Sequence, residues 1–200
     1  MPLRFGPLKD AVHLCIDMQR VFVEETRWHT PWAERVMPQV ARLCERHAER
    51  TIFTRFVPLE RAETAPGTWQ RYYEAWPEMT LDRLAPAMLE LAQPLAHFSP
   101  PAMLFDKRVL SPWHDGSLAP LLIGRGVRTL IVSGLETEVC VLATVLGAVD
   151  HGFRVVIAMD AICGSADETH DAMSSIYESR YGLQVETAET DEIIDAWRAA

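Results

Sequence analysis

Short apolar runs alternate along the chain with stretches whose apolar residues recur every three or four positions. Ala11–Ile16 (AVHLCI) is a continuous apolar run of strand length that ends at Asp17. Trp32–Glu49 carries helical spacing, with Pro31 beside its start. Thr51–Val57 (TIFTRFV) is rich in β-branched and aromatic residues and predicts a second strand; Ala102–Asp106 (AMLFD) predicts a third, ending just before Lys107. Leu118–Arg125 predicts a helix closed by Gly126, Arg128–Ser133 (RTLIVS) a fourth strand, and Val139–Asp150 a helix apolar almost all round and so buried. Phe153–Met159 (FRVVIAM) predicts a fifth strand, Glu168–Ser179 an amphipathic helix, Leu183–Glu186 a short sixth strand and Thr190–Arg198 a terminal helix. Strands this rich in Val and Ile, alternating with helices, form a parallel sheet covered on both faces, so the class is α/β.

One segment breaks the rhythm. Residues 58–101 hold seven of the thirteen prolines, together with Trp69, Trp76 and the pair Tyr72–Tyr73. They predict an irregular excursion, with short helices such as Met79–Leu91, from a single domain spanning residues 1–200. Long aromatic loops on such a scaffold wall a pocket or an oligomer contact; alternatively these rings only pack the excursion onto the domain.

Composition narrows the function. With 200 residues, 48% of them hydrophobic, the chain has apolar surface enough for a sizeable core, which excludes global disorder. No apolar stretch approaches the roughly 18 residues of a spanning helix, and Met1–Asp10 lacks the apolar centre of a secretory signal. A cytoplasmic location with no membrane partner is the expectation. The net charge of −9 would repel a phosphate backbone, so no nucleic acid partner is expected either. The four cysteines, Cys15, Cys44, Cys140 and Cys163, form no C-x-x-C pair, which leaves out zinc knuckles and thioredoxin-type redox motifs. Phosphate-loop, dinucleotide-loop, nucleophile-elbow and H-E-x-x-H patterns are all missing, so no cofactor and no metal are expected.

In an open parallel sheet the ligand site forms at the carboxyl ends of the strands. Three residues with usable chemistry fall there: Asp17 after strand one, Lys107 after strand three, and Cys140 in the first turn of the helix after strand four. Lys107 is one of only two lysines in the chain, and an ammonium can be desolvated and tuned as a guanidinium cannot. A thiol near a helix N-terminus faces unpaired N–H groups and the positive end of the dipole, a setting that lowers thiol pKa and favours thiolate at neutral pH. The same N–H groups could stabilise a developing oxyanion, worth roughly 3 kcal/mol per donor. With a cysteine across the site, Asp17 could take the thiol proton and return it to a leaving group, while Lys107 holds the carboxylate and steadies the thiolate. The alternatives are plainer: a structural cysteine, a loop aspartate binding backbone N–H groups, and a surface lysine paired with Asp106 or Asp115.

Three segments taken together, HLCIDMQRVF, FDKRVLSPW and VSGLETEVCVLATVLGAVDHGFRVVIAMDAICGSADETHDAM, resemble the isochorismatase-like cysteine hydrolase superfamily, in order and in strand context over nearly the whole chain. The resemblance implies a three-layer α/β/α sandwich, Rossmann-like, with a central, mostly parallel sheet of about six strands. It maps an Asp–Lys–Cys triad onto Asp17, Lys107 and Cys140, and a non-proline cis peptide onto Leu135–Glu136. That peptide would aim backbone N–H groups, including that of Cys140, at the oxyanion. It also implies a homodimer or homotetramer. Nicotinamidases in the family carry a metal-binding D-x-H pattern after strand two, where this chain reads FTRFVPLERAE. The reading that follows is a metal-independent hydrolase of a C–N bond in a small amide, carbamoyl or ureido substrate, working through an acyl-cysteine. Its alternatives are an isochorismatase-type hydrolase on a non-amide substrate and a non-catalytic small-molecule binder on the same fold. Phe22, Trp69, Trp76, Trp113 and His114 are the candidate substrate-binding residues.

Overall fold

The computed structural model describes residues 3–197. Six strands form one sheet: β1 (Ala11–Ile16), β2 (Thr51–Phe56), β3 (Met103–Lys107), β4 (Thr129–Leu135), β5 (Arg154–Cys163) and β6 (Val185–Ala188). All pair in parallel, in the order β3-β2-β1-β4-β5-β6. The main helices are α1 (Ala33–Arg46), α2 (Thr68–Ala75), α3 (Leu118–Gly124), α4 (Leu142–Asp150), α5 (Asp167–Ser179) and α6 (Thr190–Ala196). Every residue of β1 is buried, which a strand tolerates only when both sheet faces are covered. Alternate residues of β1 then serve different layers. Cys15 packs with Val36, Val40 and Leu43 of α1 and Ile193 of α6, whereas Leu14 and Ile16 pack with Leu122 of α3 and Val145 and Ala148 of α4.

Several boundaries differ from those the sequence predicts. β5 runs on to Cys163 because a register shift against β4 between Val132 and Gly134 lets Ile162 and Cys163 pair with Gly134 and Leu135. Asp160, the first residue past the predicted end of the strand, is satisfied there: its Oδ1 accepts from the backbone N–H and the hydroxyl of Thr190, both at 2.8 Å. β6 begins two residues late, since Leu183 lies in a turn and is 81% exposed. Met79–Leu91 is not a helix; the segment makes only the 3-10 turns Pro77–Met79 and Pro86–Leu89, as its prolines lack the N–H that a continued ladder requires. The excursion's α-helices lie to either side of it, α2 earlier and the single turn Gln93–Ala96 later. The predicted terminal helix is α6; Arg198 lies outside the described residues. Among the described residues no helix is long and apolar enough to cross a membrane.

Candidate active site

The strand order reverses direction between β1 and β4, and in such sheets a crevice opens at that point beyond the strands' carboxyl ends. Asp17 follows β1 directly. It holds a left-handed backbone with φ of +51°, unusual for a residue with a side chain. Its neighbour on β2 fixes it: the Asp17 N–H donates to the Thr54 carbonyl (3.2 Å) and hydroxyl (3.1 Å), and the Thr54 hydroxyl donates to Asp17 Oδ1 (2.6 Å). Gln19 ties the following turn to the end of β2, accepting from the Phe56 N–H at 2.6 Å and donating to the Phe56 and Leu89 carbonyls.

Lys107 is the last residue of β3 and reaches over the end of β2 to the same place. Its Nζ lies 2.6 Å from Asp17 Oδ2 and 3.3 Å from Cys140 Sγ, and it donates to the Val109 carbonyl at 3.3 Å. The ring of Phe56 supports the ammonium from 5.1 Å. Both charged side chains are nearly sealed, 3% and 1% exposed. Burial works against the Lys107 charge, but Asp17 and Cys140 outweigh it and hold its pKa above the ordinary value.

Cys140 sits in a turn of π-helix, Thr137–Val141, that precedes α4. Such wide turns often occur at functional sites. Ahead of it the Leu135–Glu136 peptide is cis, and the Glu136 carbonyl accepts from the Val139 and Val141 N–H groups at 3.0 Å each. β4 can approach β1 here because residue 134 is glycine. Its φ is +103°, and a Cβ would stand 2.1 Å from the Ile16 carbonyl oxygen. One expectation from sequence is overturned. Burial, with the Asp17 carboxylate adding to it, pushes the Cys140 thiol well up, and Lys107 offsets this only in part. Burial and the Asp17 charge thus oppose the thiolate that the helix start was expected to favour.

The aromatic candidates divide. Phe22 stacks on Trp28 (5.9 Å, 12°), and Trp28 meets Phe56 edge-on at 5.7 Å; Trp69, Tyr72 and Tyr73 from α2 extend the cluster. Trp69 and His114 line a cavity of about 410 Å³ to whose lining Lys107 also belongs. Trp76 packs under the Arg27 guanidinium at 5.6 Å. Trp113 is a core residue: its indole donates to the Thr144 carbonyl at 2.9 Å, and its ring lies against Gly147 and Phe153. The sequence reading missed Thr54, Gln19 and Trp28. A threonine inside an apolar strand and a glutamine two residues after a strand-end aspartate were the available signals. Glu136 was named for its backbone, yet its carboxyl also lies near the site, 3.5 Å from the Thr30 hydroxyl. Among the described residues no cluster of His, Cys, Asp and Glu is arranged to hold a metal ion.

A family model described as the isochorismatase domain matches residues 11–190. Maleamate amidohydrolase of Pseudomonas putida is 32% identical over 108 residues, which are 50% of this chain and 51% of that protein. The match thus spans about half the length of that curated relative. A cysteine hydrolase from Pseudomonas syringae pv. phaseolicola superposes with a TM-score of 0.79 at 22% identity, covering 98% of this chain and 97% of the other. N-carbamoylsarcosine amidase from Thermoplasma acidophilum gives 0.74 at 19% identity, over 92% and 98%. Nicotinamidase from Bacillus subtilis gives 0.69 at 21%, over 89% and 99%. At these identities the solved structures speak to the shared fold.

Proposed function

The chain belongs to the isochorismatase family, and from that premise we propose that it is a cysteine amidohydrolase cleaving the C–N bond of a small amide, carbamoyl or ureido substrate. The observation that carries this reading is the contact set around Lys107: carboxylate at 2.6 Å and sulfur at 3.3 Å, sealed together from water. A buried thiol with a raised pKa is inert alone, so it needs a base that takes its proton only as the new bond forms, and Asp17 is that base. Asp17 accepts the thiol proton while sulfur attacks the carbonyl carbon. The C–S bond forms, and the oxygen's charge rests on the backbone N–H groups of Glu136 and Cys140. The intermediate collapses, the C–N bond breaks, and Asp17 gives the proton to the departing nitrogen. Water then loses a proton to Asp17 and attacks the thioester; the C–S bond breaks, the acid leaves, and the sulfur regains its proton. Lys107 stays charged throughout and keeps both anionic forms tolerable in a dry site.

Metal independence belongs to the same proposal. The segment after β2, VPLERAE, offers no histidine and no aspartate. Mass spectrometry during turnover of a panel of small amides and ureides should find an acyl mass on Cys140, lost in Cys140→Ala, with ammonia release unaffected by a chelator. An adduct only at other residues would defeat the proposal. The family model's own description favours one second reading, hydrolysis of a non-amide substrate; turnover that persists in Cys140→Ala would select it. We further propose self-association as a homodimer or homotetramer, which light scattering checks directly.

A further inference from the structure

The cavity of about 410 Å³ beside Lys107 has no part in the bond-making described above, yet its lining is charged as well as apolar. Leu59, Pro66 and Trp69 of the excursion contribute apolar surface, and the end of β3 with the loop after it contributes Lys107, Arg108 and His114. Lys107 belongs both to this lining and to the contact set with Asp17 and Cys140, so the cavity adjoins the reacting groups. Trp69 ties it to the same place: its ring centroid is 6.4 Å from that of Phe56, whose ring supports the Lys107 ammonium. A small substrate whose amide meets the sulfur has this space for its far end.

The charges around that space are unequally committed. Lys107 is held by Asp17 and Cys140. Asp106 is held by Arg55 through two bonds, at 2.7 and 2.9 Å. Asp115 is folded back on its own turn, its Oδ1 accepting from the Ser117 N–H at 2.9 Å and hydroxyl at 2.8 Å. Arg108 differs. Among the described residues it has no carboxylate partner, and its Nη1 donates to the Pro58 carbonyl at 3.2 Å. That bond ties one edge of the guanidinium to the residue before Leu59 and leaves most of its N–H donors unused. A guanidinium with free donors beside apolar surface matches a carboxylate, which it binds through two parallel bonds in a geometry that an ammonium does not offer. We propose that Arg108 is a specificity-determining residue of the site. It holds the carboxylate at the far end of a small amide whose C–N bond is cut at Cys140, and so selects such amides over neutral ones. The inference rests on the amidohydrolase reading and deepens it.

Two probes of matched shape make the test, succinamate and 4-methylpentanamide, in which an isopropyl group replaces the carboxylate. The wild-type protein should favour succinamate in kcat/KM by at least about tenfold, and Arg108→Gln should shrink that ratio by about tenfold. Arg108→Lys keeps the charge and loses the two-pronged geometry, so its ratio should fall between the two. Thermal unfolding checks that both variants are folded. Calorimetric titration of the probes into Cys140→Ser gives the same ranking as binding, without turnover. Equal use of the two probes, or a ratio unchanged in Arg108→Gln, overturns the proposal. If succinamate binds Cys140→Ser ahead of 4-methylpentanamide but no amide acylates Cys140 in the wild type, the amidohydrolase reading falls and the carboxylate site stands. If other amides acylate Cys140 while succinamate has no advantage, the reverse holds.

Discussion

Thr54 connects the strand that carries it to the site through Asp17. Its hydroxyl accepts from the Asp17 N–H at 3.1 Å and donates to Oδ1 at 2.6 Å, so one side chain sets both the unusual backbone and the carboxylate direction. Thr54→Val keeps the shape and deletes both bonds. A hydrogen bond to a charged group is worth about 1.5–3 kcal/mol, so kcat/KM should fall by roughly tenfold to a hundredfold, with the larger share in kcat. Steady-state kinetics on any accepted amide measures this, and an unchanged kcat would show that Thr54 does not position the base. Asp17, Lys107 and Cys140 were legible as strand-end residues because strand ends are marked locally, by where an apolar run stops. Thr54 was not, because its partner lies 37 positions away and nothing in TIFTRF says which hydroxyl will meet a carboxylate. The state of the thiol was not legible either, since burial and the Asp17 charge are both products of packing.

At the scale of elements, two glycines report how closely pieces of the fold approach. Gly134 brings β4 against β1 with a backbone that only glycine adopts readily, and a Cβ there meets main-chain atoms of Ile16 that have nowhere to go. Gly134→Ala should destabilise the protein by more than about 1–3 kcal/mol and disturb the cysteine turn that follows it. Gly147 lies in α4, where a Cβ would stand 2.1 Å from the Trp113 ring. Gly147→Ala should therefore displace that ring, cost its bond to Thr144 and lower the denaturant midpoint, whereas Gly124→Ala, with open space around it, should leave stability level or raise it by up to about 1 kcal/mol. Denaturant titrations of the three variants check the ranking; equal effects would mean that the close approaches carry no cost. Trp113 also explains a misplacement. A tryptophan six residues past Lys107 looks like a pocket wall on paper, but the small residue at 147 makes a slot for it on the far side of the helix. Likewise β5 is longer than its apolar run, because Thr190 solvates Asp160 from another element.

Across the whole molecule, the buried thiols set how stability responds to alkali. Burial, followed by the charges of Glu136 and Glu138, pushes the Cys163 thiol up to about 12 from an ordinary 9.0. Below pH 9 the thiol is protonated whether the chain is folded or not, and its contribution is complete. Between about 9 and about 12 the unfolded chain has given up a proton that the folded chain keeps, so stability must fall as pH rises. Thermal midpoints should drop steadily from pH 9 to 11, and the drop should be shallower in Cys163→Ala; parallel slopes would refute this account. The amino-acid sequence by itself determined the alternation of strands and helices, the α/β class and the three strand-end groups. Those follow from hydrophobic period and from where each apolar run stops, which are properties of neighbouring residues. Only the tertiary structure decided that β1 lies between β2 and β4, that Lys107 crosses Phe56 to reach both partners and that Trp113 belongs to the core. These depend on contacts between residues distant along the chain and on how much water each group loses, and neither quantity is written in any local stretch.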